Sequence, residues 1–371
     1  MKPLKKFGFL WSYSLLAVIV GSYYLGGPAW TFAGCVYTYG VLPLLDAAFG
    51  KDRANVARED YERVVEDCYF DVLVYSFVYL QYGLLVWGCW MLVFDPMTLK
   101  QQVGLMFSIG IFSGTIINIA HELGHRSSRI AQVHAKLALL SVSYMHFLIE
   151  HNRGHHVHVA TPLDTATARK NQSLYAFWWQ TLIGGYCSAW RIEKGLLKKA
   201  GHQVWSRQNE MLWFVILPVL LCVVFTTGFS LAAGYIVWIV TVFFVAQCLI
   251  GILLLESVNY IEHYGIIRRE IAPGKYERVN PLHSWNASQY ISNLVLFQLQ
   301  RHSDHHAYAA RPDQVLRHFD ESPQLPFGYP LMILMAMLPP LWFRLMNPRL
   351  AAWKAKAYSS EEIFKTLRQF A

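Results

Sequence analysis

The chain has 371 residues, of which 54% are hydrophobic and 15% charged, a balance that argues against an ordinary soluble protein. Its net charge of +8 does not imply nucleic-acid binding, because Lys and Arg lie almost wholly on one side of the apolar stretches, where membrane insertion and anionic lipid account for them. Six cysteines without any C-x-x-C pair exclude an iron–sulfur or rubredoxin-like centre in the chain, so electrons for redox chemistry come from a partner.

The start, MKPLKK followed by an apolar run, lacks a small-x-small cleavage pattern and reads as an uncleaved first helix. Apolar stretches fall at 7–26, 30–49, 69–94, 103–120, 211–227 and 231–255, each close to the roughly 20 residues that a helix needs to cross a bilayer. Gly26, Gly27 and Pro28 mark a hairpin between the first two, and Gly228–Ser230 separates the last two. Basic residues number 3 before the first stretch, 4 between the second and third, 11 between the fourth and fifth and 13 after the sixth, with Lys100 the remaining one. The expected architecture is therefore an all-α integral membrane protein, one domain of six transmembrane helices with N- and C-termini cytoplasmic. Segments 121–210 and 256–346 form a cytosolic cap, followed by a C-terminal tail at 347–371.

Every histidine falls in those cytosolic segments, and nine of the fifteen form four short patches. HELGH carries His121 and His125 at the end of the fourth stretch, about 40° apart around a helix and one turn along it. An apolar run at Leu137–Ile149, too short to cross, reads as a re-entrant or interfacial helix that delivers EHNRGHH, with His151 and His155 paired at i+4 beside His156. If the sixth helix continues past Leu255, Glu256, Tyr260 and His263 share a face. His302, His305 and His306 of LQRHSDHH follow Leu294–Gln300 at i, i+3, i+4. Imidazole is the commonest ligand for iron, zinc and copper, and nine rings exceed what one ion holds, so two metals are expected. His134, His146, His158, His202, His283 and His318 lie outside these patches and read as structural.

His121, Glu122 and His125 also spell H-E-x-x-H, the zinc-protease pattern. A zinc protease needs only three protein ligands and water, which leaves six clustered histidines without a role. An ion transporter is a weaker alternative, because its site belongs near mid-membrane whereas these patches follow the spans.

Together the patches resemble the integral-membrane alkane 1-monooxygenases (alkane hydroxylases) of the membrane fatty-acid desaturase and hydroxylase superfamily. The resemblance runs from PLLDAAFGKD (Pro43–Asp52) through NIAHELGHR, EHNRGHHVHVATP, NYIEHYG, HSWN and LVLFQLQRHSDHHA to PFGYP and NPR, about three quarters of the chain. It implies a six-helix enzyme of a bacterial inner membrane with two non-haem iron ions held by His121, His125, His151, His155, His156, His263, His302, His305 and His306. Such enzymes hydroxylate the terminal carbon of medium-chain alkanes with dioxygen and electrons relayed from a reductase through rubredoxin. Three positions depart from the family pattern: Leu163 precedes Asp164-Thr165 without the usual proline, Gln298 stands in place of histidine and Asp313 in place of an aromatic residue. None removes an expected ligand. They bear on substrate identity, and fatty-acid desaturation or decarboxylation remains the sister activity.

Neutral imidazoles bring no negative charge, so carboxylates are expected behind them to orient the rings, with Glu122, Glu150, Asp164, Glu256, Glu262 and Asp304 as candidates. No side chain beyond the metal ligands is expected to act catalytically. An alkane has no polar handle and must be aimed by a narrow apolar channel, for which Phe107–Phe112, Trp238–Phe244 and Leu249–Leu255 are the candidate walls. Arg191, Lys194, Lys198, Lys199, Arg268, Arg269 and Lys275 would favour an acidic electron carrier, or equally lipid headgroups.

Overall fold

The computed structural model describes residues 1 and 3–357 and is mostly helical. Five helices are long and apolar enough to cross a membrane: α1 (Leu4–Trp30), α3 (Cys68–Phe94), α4 (Leu99–His125), α7 (Glu210–Ala233) and α8 (Trp238–His263). Between α1 and α3 lies the shorter apolar helix α2 (Ala33–Phe49). Further helices include α5 (Arg129–Ser141), α6 (Leu174–Lys199), α9 (Tyr290–Val295), α10 (His302–Ala307), α11 (Tyr329–Ala336) and α12 (Pro339–Ala357). One small antiparallel hairpin, β1 (Glu270–Ala272) with β2 (Lys275–Tyr276), is the exception to the all-helical expectation.

α4 is the central helix, with 83% of its apolar window buried, whereas α7 shows 11% and faces outward. The inner face of α4 meets α8 through small residues. A Cβ on Gly110 would stand 2.6 Å from Ile250, and one on Gly251 would stand 3.1 Å from the backbone of Ser113 and Gly114. Without a hydrophobic drive between helices in lipid, this close approach is what holds them together. A buried polar ladder adds direction: Gln81 of α3 donates to Ser113 Oγ of α4 (3.0 Å), Ser113 donates to Gln247 of α8 (2.5 Å), and Gln247 donates to the Ser141 carbonyl (3.0 Å).

Three sequence expectations need correction. The second stretch, 30–49, begins only at Ala33 and is shorter than the five long helices, its course loosened by a π-turn at Tyr37–Val41. α11 and α12, bent by 119°, are long and apolar enough for a span only if the pair counts as one. The break expected at Gly228–Ser230 lies instead after Ala233. Gly234 takes the left-handed conformation there (φ +78°) and caps α7, while Ser230 bonds back to the Thr226 carbonyl and stays helical. Leu137–Ile149 is not one helix: α5 ends at Ser141 and a turn through Ser143 (φ +54°) leads to the short helix Phe147–Glu150. α12 runs through the first part of the expected tail, and 358–371 lies outside the described residues.

The expected extension of the sixth stretch is present, since α8 continues unbroken to His263. The segments outside the long helices gather at the ends of α4 and α8 that carry His121, His125 and His263. Arg301, 2% exposed, staples them by donating to the carbonyls of Asp52, Ala54 and Leu316.

Candidate metal centre

The four histidine patches meet in space as two groups. His121, His125, His151, His156 and His305 form one and His155, His263, His302 and His306 the other, the candidate ligand atoms within each lying within 4.8 Å of one another. The shortest Nε2–Nε2 approaches are 2.8 Å for His121 and His305, 2.9 Å for His151 and His156, and 2.8 Å for His302 and His306. The groups adjoin, with the rings of His156 and His306 centred 4.6 Å apart.

Local structure explains the sorting. His121 and His125 leave the last turn of α4 on one side, as their spacing predicts. The expected i+4 pairing of His151 with His155 does not form, because residues His151–His155 make a π-turn. The widened turn brings His151 together with His156 and sends His155 to the second group. Gly154 permits this, since a Cβ there would lie 2.7 Å from the Glu150 carboxylate. On α10, His302 and His306 share the second group while His305 crosses to the first. Two patches thus straddle both groups.

The nine rings have the environment that a candidate ligand set requires. Buried polar atoms almost always find partners, yet His121 Nδ1, His125 Nε2 and the Nδ1 atoms of His263, His302, His305 and His306 are buried with none. The converging Nε2 atoms of the pairs above face other imidazoles. Burial, together with neighbouring rings, holds His151, His156, His302, His305 and His306 well below the usual imidazole range, and the neutral ring is the form that binds metal. His155 differs: burial opposes its protonation, but Asp164, with Glu150 and Glu256 further off, raises it. A metal-binding reading fits an all-nitrogen donor set of this size.

Of the six candidate carboxylates, two touch a ring. Asp164 stands 2.9 Å from His155 Nδ1, behind the ring, while Glu262 Oε2 lies 3.2 Å from His302 Nε2, on the side that faces the group. The others hold different partners. Glu122 pairs with Arg126 (2.8 Å), and Asp304 is clamped by Arg311 (2.6 Å) and Arg317 (3.0 Å). Glu256 accepts from Tyr144, Thr181 and Asn259, and Glu150 from Thr165. Tyr144, Thr181 and Tyr329 donate to these acids without having been expected to from sequence; only Tyr329 carries a signal there, its place in the PFGYP motif.

The six remaining histidines stand apart from both groups. His134 meets Tyr79 and the Ile130 carbonyl, His283 meets Glu277, and His318 meets Ser288 and Asp320. His146 packs between the rings of Tyr144 and Tyr186, and His202 is on the surface.

Beneath the histidines, a narrow apolar cavity of about 80 Å³ is walled by α1, α2, α4, α8, α9 and α11. Ile111, Leu254 and Leu255 belong to stretches expected to line a channel, but nothing from Trp238–Phe244 does, and Trp238 is 67% exposed. Tyr39, Leu296 and Tyr329 join the wall from outside those stretches. Asn118 and Leu299, three residues before His121 and His302, bring the wall to the foot of the metal groups.

Comparison with known proteins agrees with this geometry. Residues 100–335 match the fatty acid desaturase family model. Over 98% of its length the chain is 41% identical to alkane 1-monooxygenase 2 of Pseudomonas aeruginosa, covering 95% of that protein. The chain belongs to the alkane 1-monooxygenase family. The alkane 1-monooxygenase of Acinetobacter baylyi is 38% identical over 94% of this chain and 86% of that protein. A more distant member of the circle, the xylene/toluene monooxygenase hydroxylase component of Pseudomonas putida, is 28% identical over 90% of the chain and 86% of its own length. Membership of the alkane 1-monooxygenase family makes the chain an integral-membrane oxidoreductase, and the paired histidine groups are its candidate metal centre.

Proposed function

We propose that the chain is a non-haem diiron monooxygenase that hydroxylates the terminal carbon of medium-chain n-alkanes, using dioxygen and electrons from rubredoxin and its reductase. The observation that carries this reading is an apolar cavity whose wall includes Asn118 and Leu299, three residues before His121 and His302, next to two adjoining groups of converging imidazoles. His121, His125, His151, His156 and His305 would hold one iron and His155, His263, His302 and His306 the other. Bound iron supplies the dioxygen activation that an unactivated C–H bond demands and that side chains alone lack. The chain's own residues do the rest. Asp164 fixes the tautomer and direction of His155. The cavity aligns a chain that has no polar group, and its walls keep water from the reacting carbon.

The family places a desaturase or decarboxylase acting on fatty acyl chains as the nearest rival. Among the described residues no Lys or Arg lines the cavity, so a carboxylate would find no cationic partner there, which favours the hydrocarbon. A zinc protease fits less well, because Glu122 of H-E-x-x-H is committed to Arg126 and six further histidines converge beside it. In this reading α2 makes the sixth membrane crossing, both termini are cytoplasmic and the metal groups sit at the cytoplasmic face of a bacterial inner membrane. The deciding experiment is metal analysis followed by product analysis. Two irons per chain and 1-octanol from octane, with rubredoxin and its reductase present, are expected. One zinc per chain, or desaturated acyl product without alcohol, would overturn the assignment.

A further inference from the structure

The PFGYP segment puts Tyr329 at a junction of two features, the apolar cavity and a carboxyl group beside the second histidine group. Its ring lines the apolar cavity. Its hydroxyl donates to Glu262 Oε1 at 2.6 Å, and the other oxygen of that carboxylate is 3.2 Å from His302 Nε2. Tyr329 is 1% exposed and Glu262 also 1%, so no bulk water competes for either bond, and a hydrogen bond to a buried carboxylate is among the stronger and more directional ones. The backbone holds the tyrosine in register: its N–H donates to Gln300 Oε1 (3.1 Å), and Gln300 donates in turn to Ser292 Oγ (2.8 Å). Gly328 packs so closely against Asp46 and Ser292 that an added Cβ would lie 2.5 Å from the Asp46 carboxylate. The segment therefore has little freedom to move away.

Glu262 is unlike Asp164 in one respect. Asp164 sits behind its imidazole at Nδ1, whereas Glu262 approaches the Nε2 edge that His302 turns toward His263 (3.2 Å) and His306 (2.8 Å). A rotation of this carboxyl group changes which oxygen and which dipole face the second histidine group. Only the phenol of Tyr329, from the cavity side, fixes its outer oxygen through a side-chain bond among the described residues.

Resting on the diiron reading above, we propose that Tyr329 is a positioning residue: hydrocarbon packed on its ring sets the orientation of the Glu262 carboxylate and through it the field at His302, so that the metal centre responds to a filled cavity. Two readouts test this on the purified iron-loaded enzyme. One is the electron paramagnetic resonance signal of the ferrous nitric-oxide adduct with and without saturating octane; the other is the ratio of octanol formed to dioxygen consumed.

The wild type should show an octane-dependent change in the signal. Tyr329→Phe should keep full iron and an octane KM within about twofold of wild type, lose that spectral change and divert several-fold more dioxygen to hydrogen peroxide. Glu262→Gln, which retains the shape of the acceptor, should reproduce the spectral loss. If Tyr329→Phe retains the spectral response and the coupling ratio, or the wild type shows no response to octane, the proposal is wrong. A wild type that binds two irons and yields no alcohol would instead overturn the hydroxylase reading. If Tyr329→Phe fails to fold or load iron, Glu262→Gln decides alone, and an unchanged response in it counts against the proposal.

Discussion

At the level of single residues, the ligand set makes the sharpest demands. Removing one imidazole leaves its neighbours buried and facing a vacancy, a state that costs far more than the loss of a surface contact. His263→Ala and His305→Ala, one from each group, are each expected to abolish alkane hydroxylation and lower bound iron, whereas His202→Ala, on the surface, should retain most activity and full metal content. Iron assay with octanol formation checks this, and full metal loading in both ligand variants would refute the assignment. That these nine rings converge was readable from sequence, because histidines repeated at helical spacing are what a nitrogen donor set needs and ordinary packing at the end of an apolar helix does not. Which ring serves which group was not readable. His151 and His155 fit an i+4 pair on paper, and only the π-turn, which no propensity announces, separates them. The carboxylates were harder still. Asp304 looked like an imidazole acceptor by proximity in sequence, yet the cations that claim it, Arg311 and Arg317, follow in a loop whose path sequence does not give.

Helices were legible where composition alone decides them and less so where a turn does. α3 and α4 follow their apolar stretches closely, whereas α8 begins at Trp238 and runs on to His263. α2 falls short, and the break between α7 and α8 moves to the glycine that takes a left-handed turn, Gly234, rather than Gly228. The contact between α4 and α8 matters most to the site, since these helices carry His121, His125 and His263. Gly251 faces the α4 backbone at Ser113 and Gly114 with no spare room. Gly251→Val should therefore wedge the pair apart at a cost of about 1–3 kcal/mol, seen as a lower thermal midpoint in detergent, together with weaker iron retention. Gly83, with open space around its Cβ position, supplies the control, and Gly83→Ala should change neither. An unaltered midpoint in Gly251→Val would mean that the helices do not meet as described.

For the molecule as a whole, Lys and Arg concentrate on the segments that also carry the histidine patches. Exposed cations on the segments beside the metal groups include Arg153, Arg169, Lys170 and Lys275, and an acidic carrier would be steered to them over a distance set by ionic strength. Turnover driven by rubredoxin should accordingly fall several-fold between low and moderate salt while turnover with a small chemical reductant stays level. Equal salt dependence for both donors would assign the basic face to lipid instead. Most of the cavity's lining escaped the sequence reading for a related reason. Its walls come from α2, α9 and α11 as much as from the long spans, and a channel assembled from six elements has no periodicity of its own.

The straddling of two patches across both histidine groups carries a last consequence. His155 lies between His151 and His156 of the other group on a single turn, and His305 stands between His302 and His306 in the same way. An ion captured by either group therefore pins the backbone that presents the neighbouring one, and much of the ordering entropy for the second capture has already been spent. Titration with less than a full complement of ferrous ion should then yield empty and doubly filled chains, with few holding a single ion, as counted by native mass spectrometry.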